Sequence, residues 1–162
     1  MKITRRDGLK LMGATALATG PMKAFAGSHG GMHEVEMLNK APDSNERQVF
    51  NPPVLKIAKG DTVKFVATDR GHNSEANADL MPEGAEGWSG KINEDVEVTL
   101  DVEGVYGYYC TPHQSAGMVG LILVGDVTQE MLDAAAEVRQ RGRARQRMEE
   151  YLAEAARIVA EG

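Results

Sequence analysis

The chain has 162 residues with one cysteine; 42% of them are hydrophobic and 26% charged, and the formal net charge is −6. That length suits a single domain, and the apolar share is enough for a packed core, which excludes a disordered or fibrous chain. The acidic balance argues against nucleic acid and anionic lipid as partners, and one cysteine excludes an internal disulfide.

Residues 1–26 read as an export signal. Thr4-Arg5-Arg6-Asp7-Gly8-Leu9-Lys10 is a twin-arginine pattern, Leu11 to Ala18 is mildly apolar, and Ala24-Phe25-Ala26 is a small-residue cleavage site. The apolar run is too short, and too broken by Gly and Thr, to span a membrane, so no integral membrane insertion is expected. Its weakness, with Lys23 near the cleavage site, favours the twin-arginine route, and the expected address is the periplasm. Cleavage after Ala26 would leave 136 residues with 13 basic and 23 acidic side chains, a net of −10.

After the signal, His33 to Asn39 alternates as a strand, with Val35, Met37 and Asn39 on one side. Ala41 to Arg47 is a polar turn region, and Gln48 to Ala58 reads as short extended pieces bent at Pro52-Pro53. Lys59-Gly60-Asp61 is a turn, and Thr62 to Ala67 alternates with β-branched and aromatic residues. Gly71 predicts close backbone approach just before His72. Asn73 to Asn93 is loop-like and acidic. Val96 to Leu100, Val105 to Cys110 (with Tyr106 and Tyr108 on one face) and Met118 to Val124 read as three further strands. Short strands with turn residues between them predict an all-β sandwich or barrel over residues 27–125.

Beyond Asp126 the period changes. Met131, Leu132, Ala135 and Val138 fall at helical spacing, as do Met148, Leu152, Ala155 and Val159, with Gly142 between the two sets. Residues 126–162 are therefore expected to form two amphipathic helices packed on the barrel. Arg139, Arg141, Arg143, Arg145 and Arg147 cluster at their junction and read as a solvated, helix-supporting face or a docking patch.

The chemistry concentrates in Cys110-Thr111-Pro112-His113-Gln114-Ser115-Ala116-Gly117-Met118. A thiolate, an imidazole and a thioether on one short loop suit copper cycling between Cu(I) and Cu(II), because sulfur favours the reduced ion and nitrogen accommodates both. A trigonal site with a long axial methionine needs one more imidazole, and His72 supplies it. The candidate ligands of one copper ion are therefore His72, Cys110, His113 and Met118. A lone Cys and a lone Met are ordinarily core residues, but an idle thiol in an exported chain is a liability. The remaining histidines, His29 and His33, both fall in the N-terminal tail. A second, catalytic copper is hard to build from them, so an enzyme is not expected. Cleavage would also expose Gly27-Ser28-His29, a square-planar nitrogen set suited to Cu(II), which leaves copper trafficking as an alternative function.

The Cys-x2-His-x4-Met loop resembles that of the small blue-copper proteins, the cupredoxins, specifically plastocyanin and pseudoazurin. Met37-Leu38-Asn39-Lys40, Gly71-His72-Asn73, Met81-Pro82-Glu83-Gly84-Ala85-Glu86, Lys91-Ile92-Asn93-Glu94 and the two helical segments are similar to pseudoazurins. The resemblance implies a mainly β, Greek-key cupredoxin fold of about eight strands with two C-terminal α-helices. It also implies a monomer passing single electrons between redox proteins, with copper nitrite reductase and c-type cytochromes as expected partners. A plastocyanin-like carrier for another electron-transport chain is the alternative. By the same resemblance, the edge of His113 reaches the surface. Pro112, Ala116, Met81 and Met37 are candidates for an apolar patch around it, the two methionines equally for the core. Where pseudoazurins present lysines around copper, this chain offers only Lys40, Lys56, Lys59, Lys64 and Lys91, and Glu36 stands where histidine is common. Asn73 and Thr111 are expected to tie the two ligand loops together, or else to serve ordinary turn chemistry.

Overall fold

The computed structural model describes residues 30–161, so the expected export signal and Gly27-Ser28-His29 lie outside the described residues. Eight strands and two helices follow in chain order. They are β1 (Met32–Lys40), β2 (Arg47–Asn51), β3 (Val54–Ile57), β4 (Thr62–Val66), β5 (Glu75–Ala76), β6 (Val96–Thr99), β7 (Gly104–Tyr109), β8 (Val119–Val124), α1 (Gln129–Ala136) and α2 (Arg143–Glu161). One sheet has the order β2-β1-β4-β6 and the other β3-β8-β7-β5. β1 pairs parallel with β4 and β3 parallel with β8; the other ladders are antiparallel.

Alternation along the strands builds the space between the sheets. Val35, Met37, Val63 and Phe65 from the first sheet meet Tyr106, Tyr108, Ile122 and Val124 from the second in one buried cluster. The ring of Tyr108 meets Phe50 at 4.7 Å and Phe65 at 4.9 Å, both edge-on, a geometry worth about 0.5–1.5 kcal/mol per pair beyond area burial. Val105, Val119, Leu121 and Leu123 point the other way, into a second cluster with Leu132, Ala135, Met148, Tyr151 and Ala155 of the helices. Burial on both faces explains why all six residues of β8 are apolar or glycine and buried. Thr128 caps α1 by accepting from the Met131 amide at 3.3 Å. Gly142, at φ +58°, makes the turn into α2. No helix among the described residues is long and apolar enough to cross a membrane.

Several expectations need correction. The short strand β5 lies inside the segment read as loop, because Glu75-Ala76 carries no hydrophobic alternation; it pairs with Tyr108 and Tyr109 of β7. Alternation in β1 fails at its end, where Leu38 is buried and Asn39 exposed. His33, grouped with the N-terminal tail among the remaining histidines, lies in β1 as the strand expected from His33 requires, and its Nε2 lies 2.8 Å from Asp61 Oδ2. Gly71 is required by its φ of +96° and not by crowding, since a Cβ there would meet nothing within 4 Å. Met37 is fully buried in the core and contributes to no surface patch, whereas Met81 is half-buried against that core.

Candidate metal centre

The centre forms at one end of the sandwich, where the β4–β5 connection carries His72 and the β7–β8 connection carries Cys110 to Met118. The second loop opens with a single 3-10 turn, Thr111–His113, with Pro112 second in it, where a fixed φ and a missing N–H are accommodated. This turn brings His113 back over Cys110, with the His113 amide 3.1 Å from the Cys110 carbonyl. The loop closes on itself: the Met118 amide donates to the His113 carbonyl at 3.1 Å and the Cys110 amide to the Met118 carbonyl at 3.0 Å.

Three donor atoms converge. His72 Nδ1 lies 3.1 Å from His113 Nδ1, and Cys110 Sγ lies 3.4 Å from His113 Nδ1 and 3.8 Å from His72 Nδ1. His72, Cys110 and His113 form the metal-capable group found among the described residues. Donors at ~2.0 Å (nitrogen) and ~2.3 Å (sulfur) from a shared first-row ion would stand about 3.3–3.7 Å apart in trigonal or tetrahedral arrangement. The observed spacings bracket that range, so the residues fit a metal ion. Met118 is fully buried in the same core cluster as Cys110, and its backbone bonds bind it to both Cys110 and His113.

Neighbouring side chains set the orientation. Asn39 Oδ1 accepts from His72 Nε2 at 3.0 Å, which leaves the Nδ1 lone pair facing the other donors. Burial pushes the His72 imidazole below its ordinary pKa, helped by His113 and opposed by Asp69. Burial pushes the Cys110 thiol up, while the backbone amides of Asn73 and His113 act the other way. Asn73 ties the loops as expected: Nδ2 donates to Gly90 O at 3.0 Å and to Thr111 Oγ1 at 2.9 Å, and Oδ1 accepts from the Thr111 amide at 2.8 Å. Thr111 in turn donates to Glu75 Oε2 at 2.8 Å. Asn93, read only as loop, clamps the His72 segment from the other side: its Oδ1 accepts from Gly71 N at 2.6 Å and its amide donates to His72 O at 2.9 Å. Asn39 and Asn93 each sit in a quoted motif, but nothing in their local sequence says which partner an amide will find.

Access is one-sided. His72, Cys110 and Met118 are fully buried and His113 is half-exposed, beside exposed Pro112 and half-buried Ala116.

Comparison with known proteins decides the family. Residues 35–125 match the model for copper binding proteins of the plastocyanin/azurin family. The chain is similar to a pseudoazurin of Paracoccus pantotrophus, at 45% identity over 122 residues covering 75% of this chain and 82% of that protein. The chain belongs to the pseudoazurins, within the plastocyanin/azurin family. A solved Sinorhizobium pseudoazurin superposes with a TM-score of 0.73 at 45% identity, covering 77% of this chain and 96% of that one. The pseudoazurin of Hyphomicrobium denitrificans gives 0.72 at 38% identity, covering 76% and 98%. A plastocyanin minor isoform of Arabidopsis thaliana is 34% identical, covering 76% of this chain and 75% of that protein. Family membership makes the chain a copper-binding electron carrier, and the expected two-sheet fold with two C-terminal helices is borne out.

Proposed function

We propose that this chain is a periplasmic type 1 copper protein whose ligands are His72, Cys110, His113 and Met118. The observation that carries the reading is the convergence of two Nδ1 atoms and one Sγ within 4.8 Å of one another, with His113 alone of the four reaching solvent. Bound copper would supply a one-electron Cu(I)/Cu(II) couple. The protein's part is to hold the donors nearly still, so that little rearrangement accompanies the change of charge. Asn39, Asn73 and Asn93 do this through six hydrogen bonds to the ligand loops and between them. Burial of Cys110 and Met118 keeps water from the sulfur ligands, and the exposed edge of His113 is the exit for the electron.

The export signal is proposed to end at Ala26, leaving the barrel over 27–125 and the helical extension over 126–162 as one monomeric electron carrier. Its proposed donors are c-type cytochromes and its acceptor a copper nitrite reductase or similar respiratory enzyme. The apolar rim of Pro112 and Ala116 around His113 supports docking by close apolar contact. Stopped-flow mixing of the reduced protein with copper nitrite reductase tests the assignment. Second-order reoxidation that slows at least tenfold when a charge is placed beside His113 (Pro112→Glu) is expected. Reoxidation indifferent to that change would contradict exit at His113.

A further inference from the structure

We propose that Arg147 of α2 is a positioning residue for the copper site, fixing the peptide plane that carries Met118. This rests on the blue-copper reading above.

Arg147 is the exception in its cluster. Arg145 pairs at the surface with Glu149 at 2.9 Å, as a solvated helix face should, but Arg147 is only 2% exposed. A buried guanidinium is tolerated only when its donors are matched. Its Nη1 donates to Gly117 O at 2.7 Å and to Gln48 O at 2.8 Å, and its Nη2 donates to Arg47 O at 2.9 Å. Glu46 Oε1 lies 3.6 Å from Nε and supplies a counter-charge without a hydrogen bond.

The carbonyls it gathers are not arbitrary. Gln48 stands at φ +55°, a conformation non-glycine residues avoid, so the β2 end of the clamp is itself a special backbone. Gly117 stands at φ +96°, and a Cβ there would come within 3.1 Å of both Arg147 Cδ and Arg143 Cγ. The arginine stems therefore pack directly on the Gly117 backbone.

Gly117 C=O and Met118 N–H belong to one planar peptide unit. Arg147 holds the carbonyl end of that unit and the His113 carbonyl holds the amide end. Fixing both ends fixes the rotation of the plane, and with it the direction in which the Met118 side chain leaves the backbone. Arginine suits the task because its rigid fork addresses three carbonyls at once; a lysine ammonium is a single point charge on a flexible stem. The C-terminal helix thus acts on the metal site through the backbone that carries Met118.

The test compares copper-loaded mature protein with Arg147→Lys, Arg147→Met and a control on the same helix, Ala155→Gly. Ala155 is fully buried against the strands and remote in sequence from the clamp. Three quantities are read: unfolding midpoint, visible and EPR spectrum, and reduction potential. All three variants should lower the midpoint, but only the Arg147 variants should shift the potential and the thiolate-to-copper band. In a Met118→Leu background, Arg147→Lys should leave the potential where Met118→Leu alone puts it, because the pathway then has no end point. Arg147→Gln replaces Arg147→Met if the latter does not fold. Arg147 variants that lose stability yet keep the native band and potential would overturn the inference. A native protein with no intense thiolate band would remove the blue-copper reading itself, a failure distinguishable from the first.

Discussion

Replacing Asn73 by alanine tests how much the tie between the two ligand loops contributes. The side chain is 5% exposed and makes three hydrogen bonds, to Gly90 O, Thr111 Oγ1 and Thr111 N. At a net ~0.5–1.5 kcal/mol each, their loss amounts to about 3 kcal/mol. For a chain of this size, ~3–4 °C per kcal/mol converts that to a fall of about 10 °C in the thermal midpoint of the copper-free protein. Calorimetry or near-ultraviolet circular dichroism reads it directly. Thr111→Val removes one of the three bonds and the bond to Glu75, and a double-mutant cycle between the two sites should return a coupling of about 0.5–1.5 kcal/mol. A fall of under about 3 °C for Asn73→Ala, or additive effects in the cycle, would refute the claim that this amide locks the loops.

Gly120, Met118 and Asp61 offer three further tests. Gly120→Ala should cost about 1–3 kcal/mol in urea unfolding, because a Cβ there would sit 2.4 Å from the Tyr108 ring and hydroxyl. Met118→Gln should keep a copper site but lower its potential, since an oxygen ligand favours Cu(II); each tenfold gain in relative Cu(II) affinity is a drop of about 59 mV in a redox titration. Asp61 is held below the usual carboxylate range by His33 first and by the amides of Ala58 and Gly31, with burial opposing. On acidification the unfolded state therefore takes up its proton first, and the stability that Asp61 contributes above about pH 4 is lost as the pH falls further. Urea unfolding as a function of pH should show a steep acid limb in the native protein and a flatter one in Asp61→Asn.

Much of this molecule is legible in its residues, because most of its elements are built from local alternation. Val96 and Val98, Tyr106 and Tyr108, and the apolar run through β8 each announce a strand, and the change of period after Asp126 announces the helices. The donors are legible for a chemical reason: one thiol, two imidazoles and a thioether at these spacings have few other uses. What escapes is what depends on distant partners. Glu75-Ala76 becomes a strand only because Tyr108 and Tyr109 offer an edge. Met37 could have faced copper or core, and only the packing of the second sheet decides for the core. Arg147 looks like its exposed neighbours at alternate positions in sequence, yet helical geometry turns it inward, onto carbonyls from residues 99 and 100 positions away. Asn39 and Asn93 hold the His72 loop through partners 33 and 22 residues away, respectively, which no local pattern encodes.

In the proposed site His72, Cys110, His113 and Met118 hold one copper ion in a trigonal arrangement with a long axial methionine. Visible absorption and EPR spectra of the copper-loaded mature protein, oxidised and then reduced, test it most directly. The expected result is an intense thiolate-to-copper band near ~600 nm that one electron per chain bleaches reversibly. A pale spectrum of tetragonal nitrogen and oxygen ligation, unchanged by Cys110→Ser, would contradict it.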